Sequence, residues 1–327
     1  LAAWSFRLPA KPTADNVTVG PDRAHGGDVD GSRRDAEGPT MAAGPDGDGV
    51  TLWEAQRSPH MPLLAASMLG LCVSGLPFLS VGKLIVQDVF AVPSLPSATI
   101  TATVAGFPAL VGASNMMGRL MWGPLSDRIG YGTALTLVGT NAAFLLAMPH
   151  ATSLLYSASG AADALVALRL FQAATAGNLV LMAGAPVLLA PAVTSLFGRR
   201  HAAAIYQRTG AVITVASVLG CTVVTSMRDR AYLREATRLA DVCDEAAFVA
   251  AFGEANDPAR LGALVDSNTI TLPLLLRVAP AGTPDPTPLL YNDAFHALAA
   301  SSMLATLCNI AVFMVLLPPR KALGRAQ

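Results

Sequence analysis

One stretch of the sequence reads Asn115-Met116-Met117-Gly118-Arg119-Leu120-Met121-Trp122-Gly123-Pro124-Leu125-Ser126-Asp127-Arg128-Ile129-Gly130. It places glycines, an aspartate and two arginines in a short gap between long apolar segments. Glycine permits backbone angles and close approaches that other residues do not. Because a membrane-spanning helix needs about 20 apolar residues, the pattern predicts a tight polar turn between two membrane helices.

The overall composition also indicates a membrane protein. Hydrophobic residues make up 53% of the chain and charged residues only 13%, whereas soluble domains carry roughly 25% charged residues. The mean hydropathy is +0.49. Since a helix in lipid satisfies its own backbone hydrogen bonds, the composition predicts an all-α membrane protein with the lipid bilayer as a partner.

Charge and motif content argue against several other classes of protein. The 22 basic and 22 acidic residues cancel, and no basic stripe with interleaved aromatic residues occurs, so nucleic acid is not expected as a partner. The four cysteines form no C-x-x-C pair and have no histidine cluster nearby, so neither a metal site nor a cofactor is expected. The apolar segments lack H-E-x-x-H, G-x-S-x-G and paired-aspartate arrangements, which predicts no catalytic residues and no enzyme.

Six apolar segments have about the length that a membrane span requires. They are rich in glycine, alanine, serine and threonine, and such small residues allow close helix packing in lipid. The predicted fold is therefore a bundle of six transmembrane helices. The predicted spans lie at about 61–82, 97–122, 133–149, 164–190, 202–226 and 295–318.

The polar parts of the chain define its predicted domains. Residues 1–58 are rich in Gly, Pro, Asp and Arg, a composition that cannot bury a core, and we expect a disordered cytoplasmic linker. The bundle then covers 59–321, and 322–327 form a cytoplasmic tail. The bundle includes a long extramembrane segment at 228–293, in which residues 231–240 have helical spacing. A pair of interfacial or capping helices and a poorly ordered loop both remain open there.

The distribution of basic residues predicts the orientation in the membrane. Short loops that stay in the cytoplasm carry an excess of Lys and Arg. The basic residues cluster in the linker, in the second-to-third and fourth-to-fifth connections and in the tail, which places both termini in the cytoplasm. They are Arg33, Arg34, Arg57, Arg128, Arg199, Arg200, Arg320, Lys321 and Arg325.

Three stretches carry a resemblance to the major facilitator superfamily of secondary transporters. Residues 115–130 are similar to the N-x-x-G-R-x-x-W-G-x-x-S-D-x-x-G pattern of its carboxylate-carrying branch, which includes oxalate:formate antiporters and monocarboxylate-transporter-like proteins. Residues 191–206 resemble that branch's junction of helices ten and eleven, and Gln87-Asp88-Val89-Phe90 resembles the exit of its seventh helix. The order implies helices seven to twelve, so that the chain is a C-terminal fragment of a twelve-helix carrier.

The resemblance implies a secondary active transporter for a small organic anion such as a monocarboxylate. In such carriers two six-helix bundles rock about a central site, so one bundle supplies only half of the cavity. The implied partner is an N-terminal six-helix half preceding this chain, or a second copy of it. The resemblance also implies a gating motif that latches the halves together, formed by Gly118, Gly123, Asp127, Arg128 and Gly130.

Asp127 is expected to open the turn ahead of the third span. There its carboxylate would interact with free amides at a helix N-terminus or pair with an arginine. Gly123 and Gly130 are expected to supply the close approach and the unusual backbone angles of the turn. The alternative is a rigid loop that only fixes the orientation, which explains Arg128 but leaves the acid and the glycines without a role.

Arg119 is the first candidate for binding the substrate. It lies eight residues before Asp127, about 12 Å deeper along a helix, where a guanidinium costs about 2.5 to 3.5 kcal/mol unless it faces a cavity or a partner. The resemblance places a substrate-binding arginine there, and a guanidinium can hold a carboxylate with two hydrogen bonds. The alternative is that Arg119 snorkels to the surface and pairs with Asp127 or with lipid headgroups.

Further polar residues within the spans are secondary candidates. The resembling carriers place a second basic residue in the eleventh helix, but Ile213 occupies that position and Arg208 lies five residues too early, as a weaker substitute. Asn115, Gln172 and Asn178 are expected either to line a pathway or, as is more common, to form interhelical hydrogen bonds. Asn115 is included with Arg119 and Arg208 as substrate-binding.

A second hypothesis places the chain in another functional class. In this hypothesis the chain is a non-transporting membrane sensor or scaffold that keeps the fold and binds partners through its long segment 228–293. Ile213, which replaces a basic residue, and the size of that segment favour this reading.

Overall fold

The computed structural model describes residues 50–253, 258–267 and 269–315, and every regular element in them is helical. The first 49 residues of the predicted linker and the whole predicted tail lie outside the described residues. A 3-10 turn at Thr287–Leu289 precedes the last helix, and a π-helical turn at Ala311–Val315 follows it. The helices are α1 Leu52–Arg57, α2 His60–Ser80, α3 Gly82–Phe90, α4 Ser97–Ile129, α5 Tyr131–Val138, α6 Asn141–Tyr156, α7 Ala161–Met182, α8 Gly184–Phe197, α9 Ala202–Val242, α10 Glu245–Phe252, α11 Pro258–Asp266, α12 Leu272–Val278 and α13 Asn292–Ile310.

Six helical units in the described part of the chain are long and apolar enough to cross a membrane. Each overlaps one of the predicted spans, so the predicted all-α six-helix membrane bundle is confirmed. Two of the units consist of two adjoining helices, α5 with α6 and α7 with α8. The units are His60–Ser80, Ser97–Ile129, Tyr131–Tyr156, Ala161–Phe197, Ala202–Val242 and Thr287–Phe313.

The helices on either side of the quoted stretch are longer than the apolar pattern alone predicts. The expected multi-residue turn is absent, because α4 continues through Pro124 to Ile129 and α5 begins at Tyr131. Only Gly130 separates the two helices. Its N–H donates to the Ser126 carbonyl at 2.9 Å, and its φ of 84° turns the chain. Glycine adopts this angle without the steric penalty that a side chain would bring.

Helix α9 also exceeds its predicted span. It contains 41 residues, about 60 Å of helix at ~1.5 Å per residue, so residues 231–240 form its far end rather than a separate helix. Helix α12 packs there, where the backbone N–H of Leu272 donates to the Tyr232 hydroxyl at 3.0 Å. The described residues of 228–293 are therefore largely helical and are anchored on α9.

The last residues of the predicted linker form α1. Thr51 caps this helix: its hydroxyl accepts from the Glu54 N–H, while its own N–H donates to the Glu54 carboxylate at 2.8 Å. Val50 donates to the Phe197 carbonyl at 3.0 Å, and Ala55 is fully buried. Residues 52–57 of the predicted linker are therefore helical, because a capping box and one buried face order them.

A network of buried polar side chains joins α2, α6, α7 and α13. The side-chain amide of Asn141 donates to the Ser74 hydroxyl at 2.9 Å and to the Asn178 side-chain oxygen at 3.0 Å. Ser302 donates to the Asn141 side-chain oxygen. All four side chains are fully buried. Asn178 thus forms interhelical hydrogen bonds, the commoner of its two predicted roles.

Candidate functional site

The predicted gating residues lie at the end of α4. Asp127 and Arg128 are both exposed in its last turn, and neither forms an ion pair with the described residues. Asp127 was expected to open the turn ahead of the third span, but it lies within α4, which continues to Ile129. Its carboxylate therefore lies at a helix C-terminus, where the free carbonyls do not favour a negative charge.

The glycines of the quoted stretch have different surroundings. Gly118 packs directly on the Val180 backbone carbonyl and on Ala183, with no room for a side chain. Gly123 has open space around its α-carbon. The close approach that was expected at Gly123 therefore occurs at Gly118, whereas Gly130 has the expected unusual backbone angle. Trp122 strengthens the contact of α4 with α7, since its indole N–H donates to the Val180 carbonyl at 2.9 Å.

Arg119 lies on an uncovered face of α4. Its side chain is exposed and has no hydrogen bond or ion pair within the described residues, so the expected alternative of a pair with Asp127 is not observed. Met116 and Leu120 beside it are 63% and 64% exposed. Asn115, one turn earlier, is half-buried and likewise forms no side-chain hydrogen bond in that part of the chain. These two candidates share a helix and leave their polar groups free.

Arg208 lies on α9 and is exposed. Asn115 and Arg119 share α4, whereas Arg208 lies on another helix, and no hydrogen bond or ion pair among the described residues joins the three. Ile213 packs against the apolar core and is half-buried. Helices α4 and α9 are also the least covered of the six spans, since 17% of each spanning window is buried against 44% to 56% in the other four. Both carry their candidate residues on exposed faces.

A groove between α4 and α7 contains a charged residue that the sequence reasoning missed. Arg169 lies in the predicted fourth span, and its guanidinium donates to the Gln172 side-chain oxygen at 3.0 Å. The signal was available, because a charge within an apolar span marks a functional candidate by default. The groove has a volume of about 660 Å³. It is lined by Ala98, Thr99, Ala102, Thr103, Gly106, Phe107, Leu110, Arg169, Gln172, Ala173 and Ala176.

A second polar cluster joins α3, α9 and the start of α13. The Tyr291 hydroxyl donates to the Asp88 carboxylate at 2.7 Å, and Arg228 pairs with the same carboxylate at 3.5 Å. The Arg228 guanidinium also lies 5.0 Å from the centre of the Tyr232 ring. Its Nε is buried and has no hydrogen-bond partner. The contacts tie three elements together at one end of the bundle.

The architecture identifies the chain at a coarse level. Its described part is a bundle of six apolar helices, each long enough to cross a bilayer, which makes it an integral, multi-pass membrane protein. Asn141, Asn178 and Ser302 are buried in a hydrogen-bonded network, whereas Arg119 and Arg208 lie on the least covered helices, α4 and α9. Comparison of the chain with protein-family models, curated proteins and solved structures finds no match.

Proposed function

We propose that the chain is one six-helix half of a secondary active transporter of the major facilitator type, which carries a small organic anion such as a monocarboxylate by alternating access. The observation that carries this proposal is the unpaired guanidinium of Arg119 on a membrane-length helix. Both termini lie in the cytoplasm in this proposal, as the distribution of basic residues predicts.

The position of Arg119 favours anion binding over a structural role. A guanidinium within an apolar helix is costly unless it faces water, a cavity or a partner. Arg119 is exposed and forms no contact that would neutralise it in the described structure. A carboxylate offers two oxygens to the planar guanidinium and neutralises its charge. The free side-chain amide of Asn115, one turn away, adds a donor on the same helix.

A second bundle completes the carrier in this proposal. A single bundle of this type provides one wall of the substrate cavity. The faces of α4 and α9 are largely uncovered, and both carry a basic residue, Arg119 and Arg208, among apolar side chains. We infer that a further six-helix half, or a second copy of this chain, covers these faces. The exposed Asp127 and Arg128 are then available to latch the two bundles together in one state of the cycle.

Uptake of labelled monocarboxylates by cells that express the gene tests the proposal. We expect saturable uptake that falls by on the order of tenfold or more in Arg119→Ala, since a charge-assisted hydrogen bond contributes about 1.5 to 3 kcal/mol. Asp127→Ala should slow the cycle without abolishing binding. Arg238→Ala is the matched control, because that arginine lies at the far end of α9 and is 67% exposed. Unaltered uptake in both test variants would remove the residue assignments.

A non-transporting sensor or scaffold is the second candidate. Two observations favour it: Ile213 packs into the core instead of presenting a charge, and helices α10 to α12 form an extra layer on the end of α9. Capture of a defined protein partner by these helices, together with the absence of uptake of any organic acid, would support the sensor. Uptake that depends on Arg119 would exclude it.

A further inference from the structure

The groove between α4 and α7 is closed at one end and open at the other. The two helices run in the same direction along the bundle and touch where Gly118 packs on Val180. The residues that line the groove come from the first half of α4 and the middle of α7. Small residues, including Ala102, Gly106 and Ala173, form much of its walls. The volume of about 660 Å³ falls within the range of roughly 300 to 1,000 Å³ that is usual for small-molecule sites.

Each polar side chain of the groove can donate a hydrogen bond, and the glutamine and the threonines can also accept one. Arg169 has one hydrogen bond, to Gln172, and no ion pair with a described residue. The hydroxyls of Thr99 and Thr103 also form no hydrogen bond with the described residues. Threonine hydroxyls in helices can bond to a carbonyl one turn earlier, and eight of the described threonines do so. The two hydroxyls in the groove therefore remain free to donate to a ligand.

The charge of Arg169 has no acidic neighbour in the groove. The carboxylate of its own helix, Asp163, accepts from the Ser159 hydroxyl at 2.9 Å and lines a different cavity. Arg169 itself lies eight residues into α7, about 12 Å from the start of the helix. The Arg169 side chain is exposed and lines the groove. A bound anion would neutralise this cation, which lies within an apolar span.

We infer that this groove binds a small carboxylate anion, which the Arg169 guanidinium grips while Gln172, Thr99 and Thr103 orient it. The inference rests on the proposed function in that the bound anion belongs to the class that the carrier transports. The site is distinct from Arg119, since Thr103 and Arg119 are sixteen residues apart on α4, about 24 Å of helix. It lies between the first half of α4 and the middle of α7 and provides a separate stopping point for the anion.

Site-specific protection of Arg169 from chemical modification tests the inference without requiring transport. The whole protein in neutral detergent is treated with phenylglyoxal, which modifies accessible arginines, and mass spectrometry measures the rate at each arginine. Lactate is titrated against chloride at constant ionic strength. At about ten times its dissociation constant, lactate should slow modification of Arg169 by about tenfold, because the unliganded fraction falls in proportion. Arg238 should be modified at the same rate throughout.

Variants of the groove separate binding from folding. Gln172→Leu and Thr103→Val should each raise the concentration of lactate for half-protection by about threefold to tenfold, the loss expected for one hydrogen bond. Gln207→Leu is the matched control, because Gln207 is an exposed glutamine on α9, and it should leave the value unchanged. Thr103→Val keeps the volume of the side chain, so it tests the site even if Gln172→Leu fails to fold.

Three results would overturn the inference. The first is a rate of Arg169 modification that stays constant as lactate replaces chloride, since lactate then has no effect beyond that of ionic strength. Equal half-protection in the groove variants and the unaltered protein would place the anion elsewhere. Protection that needs phosphatidylglycerol in a nanodisc, and not lactate, would identify a lipid headgroup instead.

Failure of this site and failure of the proposed function give different results. Uptake that is unaffected by Arg169→Gln, together with no protection of Arg169 by lactate, refutes this site and leaves the proposed function standing. Protection of Arg169 without any uptake supports the site and refutes transport.

Discussion

Trp122 donates its indole N–H to the Val180 backbone carbonyl at 2.9 Å and thereby holds α4 against α7. Gly118, one turn earlier on α4, packs on the same carbonyl. The two contacts fix the level at which the helices meet and hence the closed end of the groove that contains Arg169. The quoted stretch thus has a packing role between helices in addition to the turn that ends it.

Gly118→Ala should destabilise the bundle by about 1 to 3 kcal/mol, the usual cost of overpacking. The added methyl group would overlap the Val180 carbonyl, which is backbone and cannot rotate away. Thermal unfolding in detergent provides the measurement. Gly123→Ala is the control from the same helix, with open space around its α-carbon, and should be neutral or stabilising by up to ~1 kcal/mol. Equal stability of the two variants would rule out the close contact.

Gly130→Ala should cost about 1 to 3 kcal/mol, because alanine is strained at a φ of 84°. No atom would touch the added methyl group, so the cost comes from the backbone angle alone. Gly112→Ala provides the comparison, since Gly112 also has open space but lies inside α4, where alanine is favoured by up to ~1 kcal/mol. Unfolding temperatures that fall equally in both variants would contradict the assigned turn.

Substitutions of Asn141 and Asn115 should have different effects, the first on the stability of the bundle and the second on uptake. Asn141→Leu removes three hydrogen bonds of a fully buried side chain and leaves Asn178 without its donor. We expect a loss of about 1 to 2 kcal/mol, in line with interhelical hydrogen bonds in membranes. Asn115→Leu, at a half-buried side chain with no hydrogen bond in the described structure, should keep the unfolding temperature and reduce uptake. If Asn115→Leu instead lowered the unfolding temperature and Asn141→Leu lowered only uptake, the structural role of Asn141 and the substrate-binding role of Asn115 would both be contradicted.

The capping box of α1 should depend on pH. Hydrogen bonds from the Thr51 backbone and then from its hydroxyl lower the pKa of Glu54 below its ordinary value of 4.5. Because the folded pKa is lowered, the stabilisation of α1 is complete above about pH 4.5 and disappears as the pH falls through the lower, folded value. Hydrogen–deuterium exchange of the Ala55 amide, corrected for intrinsic rates, should show this loss of protection. Glu54→Gln should flatten the dependence; an unchanged profile in that variant would assign it to another group.

The number and order of the helices could be predicted from the sequence because apolar length alone selects a membrane span. Helix ends were harder to predict. The polar residues from Gly123 to Ile129 look like a turn, yet α4 continues through them, since polar side chains at the membrane surface do not oppose helical structure. Helix α9 likewise continues beyond its apolar part to Val242. Its far end is covered by α12, which packs on it.

The candidate site was only partly accessible from the sequence. Arg119 stood out because the surrounding stretch resembles a known pattern, whereas Arg169 lies in a plain apolar segment and was overlooked. Only the structure places Arg169 in the same groove as Thr99 and Thr103, which lie on another helix. Likewise, a sequence pattern does not reveal that Gly118 rather than Gly123 contacts α7, because this depends on which face of α4 is turned inward.

The most direct test of the central claim is exchange of labelled lactate across proteoliposomes that contain the protein purified after expression of its gene. Our account predicts saturable exchange that Arg119→Ala reduces by on the order of tenfold or more and that Arg119→Lys restores in part, since lysine keeps the charge but loses the two-pronged geometry. Arg238→Ala should exchange lactate normally. Exchange that is equally fast in Arg119→Ala, or the absence of exchange for every monocarboxylate tested, would contradict the proposed anion carrier.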